Sequence, residues 1–369
     1  MQNIFAGTHS SRNCFFFALR ERGGFLKSGF LMKLMKNRFS SEYKKTTFAA
    51  GIVFGAFAAV ASAASAPLPQ PADFVGNAAS PRQRTALTVW DENDYWGKWS
   101  DKYYTNHSRI ALTLGENAPG MISFFSVGQE IYSPKDREAE IPHPKDHPYA
   151  GYFYVSFGNA WNDNDKTAFS QEIQIGGTGE WSFAEQIQCE VHRAIDEIRP
   201  AGWDTQIHKR VVGQAIGDVS HRVMLSGECG NGDYASDMII HGFGTLGNLR
   251  GIFSGGAQFR FGWNLPKDFG FQSMRQSTSV TFDPKVDRSF YGFFGVQGDA
   301  VLWDKTLTGN NDRGADIYAY PLVAQFSVGL CAIYDRWMIS VYQVFRSKDF
   351  SSQDEDFFAY GGVKCSLFF

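Results

Sequence analysis

The chain has 369 residues, enough for one large domain or two small ones. A net charge of -3 supplies no basic field for nucleic acid, and a mean hydropathy of -0.27 excludes a polytopic helical membrane protein. Aromatic residues reach 16 %, led by 34 Phe beside 38 Gly, a bias that fits a β protein with an aromatic exterior better than a helical enzyme.

Residues 1–63 read as an N-terminal extension plus a secretory signal. Lys33, Lys36, Arg38, Lys44 and Lys45 form a basic leader, Phe48 to Val60 an apolar run, and Ala61-Ser62-Ala63 a small-x-small cleavage site. The other reading is a membrane anchor of about minimum spanning length. Met32 and Met35 are alternative starts. Residues 64–83, with Pro67, Pro69 and Pro71, read as a flexible lead-in. Beyond residue 64 no run of about 18 apolar residues occurs. The exported chain therefore belongs to the periplasm, the medium or an outer-membrane barrel.

The first predicted elements carry two polar clusters. Trp90-Asp-Glu-Asn-Asp94 closes the first strand, and Asp101, Thr105 and Asn106 open the next. Oxygen groups this dense suit a hard cation such as calcium. Hairpin turn chemistry explains them equally well. Asp163-Asn-Asp165 reads as a turn.

A helix is predicted over Phe183 to Ile198, with Ser182 as N-cap, Glu185 reaching back in a capping box and Pro200 marking the end. Ile187, Val191, Ala194, Ile195 and Ile198 form an apolar stripe expected to lie against the protein. Gln188 and His192 form the adjacent i, i+4 row, expected at the edge of that contact. Spacing alone also fits a polar flank with an incidental histidine.

Period-two alternation dominates the C-terminal half. Phe253, Ala257, Phe259, Phe261 and Trp263 share one face, against Ser254, Gln258 and Arg260. Phe290, Phe294, Val296, Ala300 and Leu302 do the same, as do Leu322, Ala324, Phe326, Val328 and Leu330. The last strand offers Val363, Cys365, Leu367 and a terminal Phe369. A soluble sandwich also alternates, but long Phe-rich strands and a terminal aromatic favour an antiparallel transmembrane β-barrel of about twelve strands over residues 84–369, in a Gram-negative outer membrane. Among the cysteines, Cys14, Cys189, Cys229, Cys331 and Cys365 form no C-x-x-C pair, so a zinc knuckle is disfavoured and no disulfide pairing is assignable.

Six segments in order resemble the outer-membrane lipid A deacylases of the LpxR type, which act at the 3′-O position. They are Glu92-Asn93-Asp94, Asp101 through Asn106, Gln129-Glu-Ile-Tyr-Ser-Pro134, Asp146-His-Pro-Tyr-Ala-Gly151, Glu185 through His192, and Gly202-Trp-Asp-Thr-Gln206. The resemblance implies a twelve-stranded barrel with its site between the wall and a short helix. It also implies calcium-dependent hydrolysis of the ester carrying the 3′ acyloxyacyl group, with lipid A of lipopolysaccharide as substrate and Asn93, Asp94, Thr105, Gln188 and His192 as site residues. The chain departs from the enterobacterial pattern in the loop Lys135 to Glu140, where no Lys falls at the family's place and Lys135 or Arg137 are the available substitutes.

The expected chemistry uses water, because no Gly-x-Ser-x-Gly element is present. His192 as neutral imidazole is the base, Gln188 orients water or imidazole, calcium held in part by Asp94 and nearby carbonyls stabilises the oxyanion, and Asn93 or Thr105 donates to it. A monomer is expected. The competing functions are a non-catalytic barrel, as a pore or structural protein, and an outer-membrane phospholipase.

Overall fold

The computed structural model describes residues 83–98, 102–116, 121–163 and 166–369. The signal-peptide reading, nearly all of the lead-in, Asp101 and the centre of the 163–165 turn lie outside the described residues. Twelve antiparallel strands close into one barrel. They are β1 (Ala86–Asn93), β2 (Tyr103–Thr113), β3 (Met121–Ser133), β4 (Ala150–Asp163), β5 (Thr167–Thr178) and β6 (Val211–Ser226), then β7 (Tyr234–Gly247), β8 (Arg250–Trp263), β9 (Arg288–Asp304), β10 (Leu322–Tyr334), β11 (Trp337–Ser347) and β12 (Phe357–Phe368). Among the described residues the α-helices are short: α1 (Tyr95–Lys98), α2 (Ala184–Ile195) and α3 (Lys305–Thr308). Each strand pairs with its sequence neighbour, and β1 pairs with β12 from Ala86↔Phe368 to Asn93↔Gly361, so no edge is left open.

Alternation sorts the two faces. Phe253, Phe261, Phe290, Phe294, Val296, Leu322 and Leu330 are exposed on the outside. Between them Ser254, Gln258, Arg260, Asp299, Gln325 and Ser327 are buried on the inside. An apolar exterior around a polar interior is the arrangement that lipid demands. The described cysteines Cys189, Cys229, Cys331 and Cys365 are all unpaired thiols.

The interior is filled rather than hollow. The β8–β9 connection, residues 264–287, turns inward, and most of it is buried. It forms few backbone ladders, so lumen side chains satisfy its peptide groups. Gln258 exchanges two hydrogen bonds with the peptide groups of Phe271, at 2.7 and 3.0 Å. The Ser279 N–H donates to Glu172 at 2.6 Å, and the Thr281 N–H donates to the Thr113 hydroxyl at 3.2 Å. Gly270 has φ +70°, and a Cβ there would meet the Gln258 amide oxygen at 2.3 Å, so the entry bend requires glycine.

At the tip of this segment Arg275 is buried beside Asp304 and Asp349, at 3.5 and 3.4 Å. Its guanidinium stands 5.2 and 5.9 Å from the ring centroids of Tyr104 and Tyr132. Asp349, in the β11–β12 loop, is desolvated, but Arg346 and Arg275 outweigh that burial and hold its carboxyl below the usual range.

A filled lumen sets a conductance expectation. The purified barrel in a planar lipid bilayer passes no steady ionic current, and excision of residues 270–281 opens one; conduction by the intact chain would contradict the packing described.

Candidate active site

The start of β1, the end of β12 and most of the short turns, such as residues 335–336, lie at one end of the barrel, together with the inward-turning segment 264–287; the other longer connections, 134–149, 179–210, 305–321 and 348–356, lie at the opposite end. Long loops are extracellular in such barrels. The connection 179–210 carries α2, and α2 packs on the outer surface of β3 and β4 rather than inside the lumen. The exterior face of β3 exposes Phe125 near its middle and ends with Gln129, Ile131 and Ser133, all buried. What buries the last three is the helix. Ile131, Tyr149, Ala184, Cys189 and Trp203 form one apolar cluster, with Ile187 against it.

Glycine makes the approach possible. A Cβ on Gly151 would fall 2.0 Å from Ser182 Oγ and 2.4 Å from Ala184 Cβ, so any larger residue pushes the helix start off the wall. Polar contacts complete the seam. Gln129 Nε2 donates to the Ser182 carbonyl at 2.6 Å. Gln188 Nε2 donates to Ser133 Oγ at 2.9 Å, while Gln188 Oε1 accepts from the Trp203 indole at 2.9 Å. The Ile207 N–H bonds the Tyr149 carbonyl, and the Ala201 N–H bonds the Arg137 carbonyl, each at 2.9 Å.

The helix differs from the sequence expectation in three ways. It spans Ala184–Ile195, ending earlier because Asp196 turns left-handed at φ 60°. Its N-cap is Phe183 at φ 57°, and no capping box forms. Ser182 instead closes a preceding 3₁₀ turn, donating to the Gly179 carbonyl at 2.6 Å. Most important, the buried residues are Ala184, Gln188, Cys189 and His192. Val191, Ile195 and Ile198 are 50 %, 58 % and 49 % exposed. The polar row therefore meets the wall, and of the predicted apolar stripe Ile187 packs inward while Val191, Ala194, Ile195 and Ile198 face outward, because Ser133 and Trp203 give Gln188 partners that no aliphatic side chain has.

His192 is one turn beyond Gln188, and its Nδ1 is 2.5 Å from the Ile198 carbonyl oxygen. A carbonyl only accepts, so Nδ1 carries the proton. In the neutral ring Nε2 then holds the lone pair.

The β1–β2 end supplies the other expected residues. Asn93 pairs with Asn106, and Asn106 with Ile131 in the cluster beneath the helix. At about 4.8 Å per strand step, Asn93 is about 10 Å from the helix-bearing wall. Asn93 Oδ1 accepts from the Tyr95 N–H at 2.8 Å, which leaves its amide nitrogen as the donor. Asp94 is fully buried, and its Oδ2 accepts from the Lys102 N–H at 2.7 Å. The Asp94 N–H bonds the Thr105 carbonyl at 3.3 Å. The Thr105 hydroxyl is buried without a hydrogen-bond partner among the described residues.

The three acids of Trp90–Asp94 do not gather into one cation site. Glu92 points into the lumen, Asp91 accepts from Asn106 and Ser108 on the exterior face, and Asp94 stands at the strand end. Among the described residues no group of three His, Cys, Asp or Glu is placed to hold a metal. His107 lies across the wall from the site, between the Tyr104 and Tyr154 hydroxyls at 3.0 and 2.9 Å. Lys135 is engaged by Asp354, and the Arg137 carbonyl accepts from the Tyr149 hydroxyl. Ser133 and Trp203, which fasten Gln188, were not among the expected site residues. Ser133 could have been found by counting two residues outward from Ile131 on β3.

The family model for outer membrane protein LpxR matches residues 52–369. The chain belongs to that family. The solved structure of LpxR from Salmonella typhimurium superposes with a TM-score of 0.67 at 19 % identity, over 77 % of this chain and 100 % of that one. The β domain of the Bordetella autotransporter BrkA reaches 0.42 at 10 % identity, over 78 % and 99 %. No curated protein matches by sequence. As an LpxR-family barrel, the protein resides in the Gram-negative outer membrane.

The seam yields an expectation of its own. Gly151→Val lifts the helix from the wall, so that trypsin cuts after Arg193 faster in folded barrels while the strands stay intact; equal resistance in wild type and variant would contradict the close approach.

Proposed function

We propose that the protein is a lipid A deacylase that hydrolyses the ester of the 3′-O-linked acyloxyacyl group in a calcium-dependent reaction. The observation that carries this reading is the orientation of α2. It buries an imidazole with a fixed tautomer at the lipid-facing side of the wall, and leaves Val191, Ile195 and Ile198 exposed beside it. An acyl chain from the surrounding leaflet meets that apolar surface next to the base. Family membership supports the same reading. The filled lumen argues against a pore.

The residues fit a hard cation. An ionised carboxylate is costly to bury, and the neighbouring Thr105 hydroxyl is a second oxygen at the same place, unpartnered among the described residues. Asp94 and backbone carbonyls would hold calcium, an oxygen-seeking ion that takes ligands from several sources. When bound it supplies Lewis acidity toward the ester.

The chain's own residues do the rest. His192 Nε2 removes a proton from water as the water oxygen attacks the ester carbonyl carbon. The carbonyl oxygen becomes an oxyanion, to which Asn93 Nδ2 and the Thr105 hydroxyl donate. Collapse breaks the bond to the sugar oxygen. The imidazolium returns its proton to that oxygen, releasing a fatty acid and the deacylated lipid A. Gln188 acts on the imidazole through position, since both ends of its amide are spent on Ser133 and Trp203.

With purified lipid A in detergent, His192→Ala lowers kcat by about 10²–10⁴-fold while the barrel keeps its heat-modifiable gel mobility. Full turnover by this variant removes the base assignment. Activity also falls as acid protonates the imidazole, since only the neutral ring accepts a proton. EGTA abolishes turnover and added calcium restores it; turnover indifferent to EGTA removes the metal. Phospholipid assayed in parallel stays intact, and its hydrolysis in place of lipid A would transfer the enzyme to the phospholipase class.

A further inference from the structure

Glu92 is fully buried and takes no part in the chemistry above. It precedes Asn93 on β1, just as Tyr104 precedes Thr105 on β2. Alternation points Glu92 and Tyr104 into the lumen. There the Tyr104 hydroxyl donates to Glu92 Oε2 at 2.6 Å. The Tyr342 hydroxyl, from β11, donates to Oε1 at 2.9 Å, and so does the Met274 N–H at the tip of the lumen segment, also at 2.9 Å. One carboxylate thus gathers donors from β2, β11 and the interior segment. The Trp90 indole N–H, in turn, donates to the Tyr342 hydroxyl at 2.5 Å.

On the exterior side of this strand end Asn106 Nδ2 donates to Asp91 and to the Glu92 carbonyl, at 3.0 and 3.1 Å, but the backbone ladder is interrupted. The β2–β3 register shifts between Tyr104 and Asn106, which makes Thr105 the extra residue of a bulge. A bulge re-aims a side chain, but the ladder does not fix it. Beyond the Asn93↔Asn106 pair, the described backbone tie between β1 and β2 is the Asp94 N–H to Thr105 carbonyl bond at 3.3 Å.

We infer that Glu92, held by Tyr104, Tyr342 and the lumen-segment tip, is a positioning clamp that sets the spacing of Asn93, Asp94 and Thr105 from the opposite face of the wall. The interior segment thereby serves the site as well as sealing the barrel. The kinetic consequence rests on the deacylase reading; the structural one does not.

Tyr104→Phe keeps the ring, 4.8 Å from that of Tyr360, and removes only the hydroxyl. Hydrogen exchange in detergent micelles reads the clamp directly. Amides in residues 91–107 exchange about tenfold faster, while those of β6 to β10 keep wild-type rates. With lipid A, kcat falls about tenfold and KM stays within about twofold, because misplacement harms the reacting geometry rather than substrate capture. Tyr342→Phe moves both readouts in the same direction, and heat-modifiable mobility shows that each variant is folded. Unchanged exchange at 91–107 overturns the clamp. So does faster exchange throughout the barrel, or local loosening with full kcat. Wild-type protein without lipid A turnover sinks the deacylase reading, and exchange still decides whether the clamp orders the strand end.

Discussion

Lipid offers no hydrogen bonds, so every peptide group in the membrane must find its partner within the wall. The β1–β12 pairing answers that demand by closing the sheet. Closure gives the wall two faces of opposite chemistry, and alternation, interrupted at bulges such as Thr105, assigns strand residues to one or the other. The functional consequence is that neighbours in sequence serve different purposes. Glu92 and His107 belong to the lumen network, whereas Asn93 and Asn106 lie on the face that leads to the helix.

The site depends on a second, smaller inversion. A helix on a lipid-facing wall would ordinarily bury its aliphatic residues. Here Ser133 and Trp203 engage both ends of the Gln188 amide, and Gln129 holds the Ser182 carbonyl. Removing Gln188 would leave buried partners unsatisfied, at about 1–3 kcal/mol each. Those bonds turn the polar row inward and leave Val191, Ile195 and Ile198 to the leaflet. The buried imidazole of His192 and the exposed apolar residues are thereby carried side by side on one short helix.

Much of the fold was legible because period-two alternation is a direct image of the two faces. Phe253, Phe261, Phe290 and Leu322 point outward as their spacing requires. The strand number followed from counting such segments. The filling of the lumen was not legible, since residues 264–287 bond side chains of many strands, and no local pattern encodes those partners. Helix orientation was misread for a related reason. Spacing reveals that Gln188 and His192 share a row, but which row meets the wall depends on Ser133, 55 positions away in sequence. The capping box failed because Phe183 takes the left-handed cap position. The acidic run of Trp90–Asp94 looked like one cluster only because a linear sequence hides alternation, which sends Glu92 into the lumen and leaves Asp91 outside.

The central claim is that the exterior site between wall and helix deacylates lipid A. Mass spectrometry of lipid A from cells making the wild-type chain or His192→Ala tests it most directly. The account predicts that lipid A loses the mass of one acyloxyacyl group with wild type and keeps it with the variant, at equal amounts of folded barrel in the outer membrane. Identical lipid A in both strains, whether intact or shortened, would contradict it.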